Sequence, residues 1–241
     1  MIESFVHLHV HSDYTLSKGG SKVKDLVKRA KGLGMPAMAL TDEANMFGAL
    51  EFSKAAAEAG VQPIVGTKFW FPAEGKAKGC FILLAKDQAG YENLCRLTWA
   101  AHRPGEDGKP SEGVLTDLTG CSDGLVMLTG GQQGCLAELV RKGKVAEAEE
   151  LLSWLRYEFS GNLYIEISRH GDETPEEIAV EEALLDMAFS APAMECRDHV
   201  VREGVPVVAT SPVWYAEAGR HDAYEILKAV EGKTRVALQD G

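Results

Sequence analysis

No apolar run in this 241-residue chain approaches the roughly 18–20 residues a membrane-crossing helix needs, which argues against a transmembrane protein. The opening Met1-Ile-Glu-Ser-Phe-Val carries no basic stretch and no apolar core behind one, so no export signal is read there. Cysteine is scarce. Cys80, Cys95, Cys121, Cys135 and Cys196 form no CxxC pair, and an odd count without an export signal points to reduced thiols in a cytoplasm, mostly as small buried hydrophobes. Positive charge is outweighed: 25 Lys and Arg stand against 36 Asp and Glu, a net charge of -11. That balance opposes DNA binding through the chain's own surface, which ordinarily needs a basic patch. Neither GxGxxG nor GxxxxGK[ST] occurs, so the dinucleotide fingerprint and the P-loop are excluded. No fixed period marks a solenoid.

What remains is an ordinary globular composition, 45% apolar and 25% charged. The length suits one large domain or two small ones, large enough to bury a core without disulfide or metal staples. Charge is unevenly spread. Lys18, Lys22, Lys24, Lys28, Arg29 and Lys31 crowd together against Asp25 alone, while residues 172–203 are strongly acidic. Both runs read as solvated faces.

Along the chain, apolar β-type runs alternate with helical ones. Phe5 to His11 reads as a strand. Ser21 is placed to cap a helix in which Val23, Leu26, Val27, Ala30 and Leu33 recur at helical spacing, ended by Gly34 and Pro36. Strands are predicted at 37–41, 61–71, 80–85, 124–128, 163–167 and 206–210. Helices are predicted at 46–59, after 85 through Ala101, within 134–156, at 175–189, from Pro192 to Glu203, and at 220–230; a loop fills 103–113. Such alternation implies βαβ units and a largely parallel sheet, suggesting one closed or distorted barrel.

Two segments carry the chemistry. In His7-Leu8-His9-Val10-His11 a strand's period of two sends the three imidazoles to one face, and imidazole is a common zinc, iron or manganese ligand. Hydrogen-bonded histidines lining a polar mouth are the equal alternative. The second segment is Thr41-Asp42-Glu43-Ala44-Asn45, at the C-terminal end of a strand, where barrel active sites are built. Its plainer explanation is local: Asn45 caps the next helix and Asp42 accepts backbone hydrogen bonds in the turn.

FVHLHVHSDYTL, GMPAMALTDEANMFGALEFSKAAAEAGVQPIVGTKFWF, FILLAKDQAGYENLCRL and GVPVVAT follow one another in this order. Together they resemble the N-terminal PHP (polymerase and histidinol phosphatase) domain of bacterial DNA polymerase III alpha subunits, from about Phe5 to Lys233. The resemblance implies an α/β fold, a distorted seven-stranded (βα) barrel, over 1–241 as a single domain. It also implies a fragment lacking the palm, thumb and fingers domains that carry polymerase chemistry. Active members of that family hold metal ions at the strand C-termini and hydrolyse phosphoesters.

Carried over by position, the HxH ligand pair falls on His9 and His11. An acidic ligand falls on Lys18, a histidine on Glu43, a glutamate on Lys68, a histidine near Cys80, a cysteine near Gly131, and an Asp-x-His pair on Pro212 and Trp214. His9, His11, Glu43 and Cys80 are therefore the candidate metal ligands. His7, Lys18, Asp42, Lys68 and Trp214 are expected to form a structural pocket. Two ammonium groups where cations should sit disfavour metal entry. No cofactor and no catalytic residue is expected, residual zinc or manganese being the alternative. Lys18 or Lys68 paired with Glu43 or Asp42 would stand in for the metal's charge; the plainer alternative is that both lysines swing into solvent. The expected role is a silent scaffold in the cytoplasm, whose partners are the remainder of the alpha subunit and the epsilon proofreading exonuclease. It would meet DNA only through the intact polymerase, and no membrane. The alternative function is a metal-dependent phosphoesterase or 3′-5′ exonuclease with a reduced site.

Overall fold

A computed structural model describes residues 5–71, 78–103, 115–196 and 199–232. The elements are, in order, α1 (Val23–Gly32), β1 (Ala37–Leu40), α2 (Ala49–Ala59), β2 (Gln62–Phe71), β3 (Gly79–Ala85), α3 (Gln88–His102), β4 (Leu125–Leu128), α4 (Cys135–Arg141), α5 (Val145–Phe159), β5 (Leu163–Ile167), α6 (Pro175–Ser190), β6 (Met194–Cys196), β7 (His199–Val201), β8 (Val207–Ala209) and α7 (His221–Gly232). They belong to two compact units: Met1–Val65 with Pro212–Gly241, and Gly66–Ser211.

In the first unit α1 buries Val23, Leu26, Val27 and Ala30 on one face, against Val10, Met38, Leu40, Phe52 and Val61. Its exposed side keeps Lys24, Lys28, Arg29 and Lys31 in water. Gly60 stops α2 in the left-handed conformation at φ 75°, which costs a glycine little. β1 runs parallel to the start of β2, in register from Ala37 opposite Gln62 to Leu40 opposite Val65. The histidine segment joins by isolated parallel bridges, His7 to Met38 and Val10 to Val213.

In the second unit the remainder of β2 pairs antiparallel with β3, and β3 antiparallel with β4. β4–β5 and β5–β8 are parallel. β3, Gly-Cys-Phe-Ile-Leu-Leu-Ala, is buried along almost its whole length, as a strand covered on both faces must be. A capping box holds the start of α6: Thr174 Oγ1 accepts from Glu177 N, and the Glu177 carboxylate accepts from Thr174 N.

The strand ladder is thus β1-β2-β3-β4-β5-β8, six strands, beside a separate β6–β7 pair. This is a mixed α/β fold, with six strands in the ladder among the described residues. The sheet is less parallel than expected. Only residues 72–78 separate β2 from β3, fewer than the dozen or so a parallel crossover requires. Residues 5–11 are not a regular strand; the chain bends at Leu8 and His9 between its two bridges. The helix expected from Pro192 to Glu203 is instead the antiparallel β6–β7 pair, Met194 facing Val201. Ser21 does not cap α1, because its hydroxyl is taken by the Ala216 amide at 2.8 Å. The loop expected at 103–113 lies, beyond Arg103, outside the described residues, as does the chain from Lys233.

Candidate functional site

In the first unit the histidine segment runs between two neighbours. Thr41 N donates to Val10 O (2.8 Å), and the Thr41 hydroxyl both accepts from Val10 N (2.9 Å) and donates to Val10 O (3.1 Å). On the other side Val213 N donates to His9 O (2.9 Å) and His11 N to Val213 O (2.8 Å). These pairings fix His9 and His11, both buried, with ring centroids 5.0 Å apart. His7 parts from them. The bend at Leu8 and His9 breaks the two-residue alternation, so His7 lines a cavity together with Val10, on the α1 side.

Trp214 covers His11, ring to ring at 3.9 Å and only 9° from parallel. Asp42 is buried and accepts three hydrogen bonds: from Ser12 N (2.7 Å), Ser12 Oγ (2.7 Å) and Thr15 Oγ1 (2.6 Å). Burial pushes the Asp42 carboxyl above the usual carboxylate range, and those donors pull it back. Thr15 Oγ1 also lies 3.2 Å from His11 Nδ1 and accepts from Glu43 N. Lys18 Nζ sits 2.8 Å from Glu43 Oε2, both side chains mostly buried. Of the two arrangements open to the lysines, pairing or solvation, Lys18 takes the first, with Glu43. Asn45 does not cap α2; it makes a local turn, accepting from Phe47 N and donating to the Tyr14 and Glu43 carbonyls.

Lys68 and Cys80 belong to the second unit. Lys68 is fully buried on β2, its ammonium 2.7 Å from Gln133 Oε1 and 4.9 Å from the centre of the Trp70 ring. Cys80, also fully buried, faces Trp70 across the ladder, with Sγ 4.0 Å from Gly130 O. Gly131 starts a short helical turn at φ 53° and supplies no side chain. Three buried polar residues, Glu166, Ser12 and Thr15, are not marked by the sequence patterns. Glu166 on β5 accepts from the Thr210 hydroxyl, and its amide donates to Thr129 Oγ1. A lone carboxylate in Leu-Tyr-Ile-Glu-Ile was the available signal. Ser12 and Thr15 were missed because nothing local shows that they answer a carboxylate some thirty residues on.

A metal ion does not fit what is seen here. Among the described residues no group of three or more His, Cys, Asp or Glu side chains is placed to hold one. Indole covers the His11 ring, Glu43 carries an ammonium, and Asp42 is occupied by hydroxyl and amide donors.

Similar proteins point the same way as the four sequence blocks. Over 235 residues the chain is 35% identical to the DNA polymerase III subunit alpha of Caulobacter vibrioides, covering 95% of this chain and 19% of that one. It is 34% identical to that of Escherichia coli K12, covering 98% and 19%. It is 35% identical to an error-prone DNA polymerase of Symbiobacterium thermophilum, covering 97% and 21%. The chain thus spans about a fifth of the length of these relatives. Among solved structures, a Bifidobacterium adolescentis protein described as a candidate metal-dependent phosphoesterase superposes with a TM-score of 0.56 at 13% identity, over 89% of each chain. That likeness is one of fold. The PHP domain model matches residues 7–170, and this chain belongs to the PHP domain family.

Proposed function

We propose that this chain is a catalytically silent PHP module of a DNA polymerase III alpha subunit. It acts as a scaffold within a larger polymerase that replicates DNA in the cytoplasm. The observation that carries this reading is the Lys18–Glu43 ion pair at 2.8 Å, an internal cation beside the surviving His9 and His11. The indole stacked on His11 supports it. In this reading the sheet closes as the family's distorted seven-stranded barrel, and His7, His9, His11, Lys18, Asp42, Glu43, Lys68, Cys80 and Trp214 serve structure. The remainder of the alpha subunit is the principal partner. The epsilon exonuclease is a second one, supplying the proofreading this module lacks, and DNA is reached only through the assembled polymerase.

The test is metal content and turnover. Purified chain, dialysed against zinc and manganese and then desalted, is expected to retain well under one equivalent by elemental analysis. It is expected to hydrolyse neither p-nitrophenyl phosphate nor a 3′-recessed oligonucleotide. Stoichiometric metal with activity abolished by His9→Ala or His11→Ala would instead establish the phosphoesterase or exonuclease reading, with His9, His11, Glu43 and Cys80 as ligands.

A further inference from the structure

The helix α7 is amphipathic but carries its apolar side outward. Ala223, Ile226, Leu227 and Val230 recur at i, i+3, i+4 and i+7, a single stripe on an α-helix. Ile226 is 45% and Val230 67% exposed, Ala223 is exposed, and Leu227 at the stripe's margin is half-buried. From His221 to Val230 no residue of α7 is buried.

The helix is held from another side. Tyr224 packs against Trp214 and Tyr215, with ring centroids 6.0 and 5.4 Å apart, and His221 Nδ1 lies 3.2 Å from the Tyr215 hydroxyl. Lys228, one turn on from Tyr224, places its ammonium 5.4 Å from the centre of that ring and 3.2 Å from the Glu225 carboxylate. His221, Tyr224 and Lys228 form a second stripe at i, i+3 and i+7, roughly opposite the apolar one. A surface helix ordinarily turns its apolar stripe to the core. Here an aromatic stack does the holding, and the stripe faces away from it.

The amount of surface decides what can cover the stripe. A stable interface between separate chains engages about 20–30 residues a side, and four side chains fall far short of that. Two surfaces of one polypeptide need much less, because their linkage supplies a high effective concentration. The relatives contain such a polypeptide: 95–98% of this chain matches only 19–21% of their length, so about four-fifths of each lies outside the match.

We infer that the Ala223, Ile226, Leu227 and Val230 stripe of α7 is a docking face for the remainder of the alpha subunit. The stripe carries no charge, so the surface laid on it is apolar at its centre, with polar groups at the rim. The inference rests on the reading of this chain as a module of that subunit and adds the face by which it is held.

The test compares the 241-residue chain alone with a chimera in which it replaces the matched fifth of the Caulobacter vibrioides alpha subunit. Val230→Cys and, on the other side of the helix, Lys228→Cys report access by iodoacetamide labelling, located by peptide mass. Both should label readily in the isolated chain. In the chimera Val230→Cys should label at least about tenfold more slowly, and Lys228→Cys within about threefold of its rate in the isolated chain. The double variant Ile226→Lys, Val230→Lys should leave the melting temperature of the isolated chain within about 2 °C, since both side chains already stand in water. The same double variant should lower primer extension by the chimera several-fold. Equal labelling of Val230→Cys in the two proteins, slowing that is the same at both cysteines, or primer extension untouched by the double variant would overturn the inference. Sedimentation of the isolated chain as a dimer that the double variant dissociates would overturn it too, and would assign the stripe to a second copy. An unsubstituted chimera that extends no primer would instead overturn the reading of this chain as an alpha-subunit module, and this inference with it.

Discussion

Lys18 and Glu43 meet at a depth intermediate between surface and core, with 24% and 15% of their side chains exposed. Exposed pairs contribute about 0.2–1 kcal/mol, whereas orphaning one partner of a fully buried pair costs about 3–5. Lys18→Ala should therefore destabilise the protein by about 1–2 kcal/mol in urea denaturation, and a double-mutant cycle with Glu43→Gln should show a coupling above about 0.5 kcal/mol. Additive single effects would show that the pair does not hold the loops. A second residue-scale consequence concerns alkali. Burial pushes the Cys135 thiol from 9.0 up to about 12. Between those values the unfolded chain has released this proton while the folded chain still holds it. Stability contributed by the thiol therefore falls as pH rises through that window, by about 4 kcal/mol at most. The difference in unfolding free energy between the native protein and Cys135→Ala should shrink steadily from pH 9 towards pH 12, measured against urea at each pH. A difference independent of pH would contradict the burial of that thiol.

At the scale of elements, two short motifs should be separable by substitution. The α6 capping box satisfies amides that its helix leaves without partners, so Thr174→Ala should cost about 1 kcal/mol of stability and fray the first turn. A cost near zero would mean that water caps the helix equally well. The loop from Ser12 to Ser21 is tighter. A Cβ at Gly19 would stand 1.6 Å from the Ser12 carbonyl oxygen, an impossible approach. Ser12 also carries two of the hydrogen bonds to Asp42, so displacing it disturbs the site as well. Gly19→Ala should thus cost roughly 3 kcal/mol or more and lower the melting temperature; an unchanged melting temperature would rule out this loop geometry. Helices and strands were largely legible from periodicity: Leu163–Ile167 was read as found, and Pro175–Ser190 to within one residue. The exceptions share a cause. Residues 5–11 and 192–203 are short, and their patterns admit helix, strand or bend until a partner chooses.

For the whole molecule, the first unit is discontinuous: residues 212–241 return to complete what residues 1–65 begin. The return supplies the Val213 bonds to His9 and His11, the Trp214 carbonyl that accepts from Gly20 N, and the Ala216 amide held by Ser21. Those pairings close loops of about 200 residues, which local sequence cannot specify and which cost chain entropy to form. Deleting 212–241 should strip hydrogen-exchange protection from the His11 and Gly20 amides, which donate to Val213 and Trp214. The β3 and β4 amides, paired within the second unit, should keep theirs. Retained protection at His11 and Gly20 would show that the first unit does not need its second segment.

The sequence by itself determined the family, most of the helices and strands, and the identities of the side chains at the positions compared with the family's ligands, because these depend on order and on local periodicity. It also contained the Lys18–Glu43 pairing as one of several arrangements. Tertiary structure decided among them, since only the folded loops bring Lys18 within 2.8 Å of Glu43 while Asp42 is taken by Ser12 and Thr15. It turned His7 away from His9 and His11, laid Trp214 on His11, ran β3 antiparallel to its neighbours and hollowed the cavity beside α1. The physical reason is the same in each case. A residue's identity fixes what it can bond, but which partner reaches it depends on chain closures between segments tens to hundreds of residues apart.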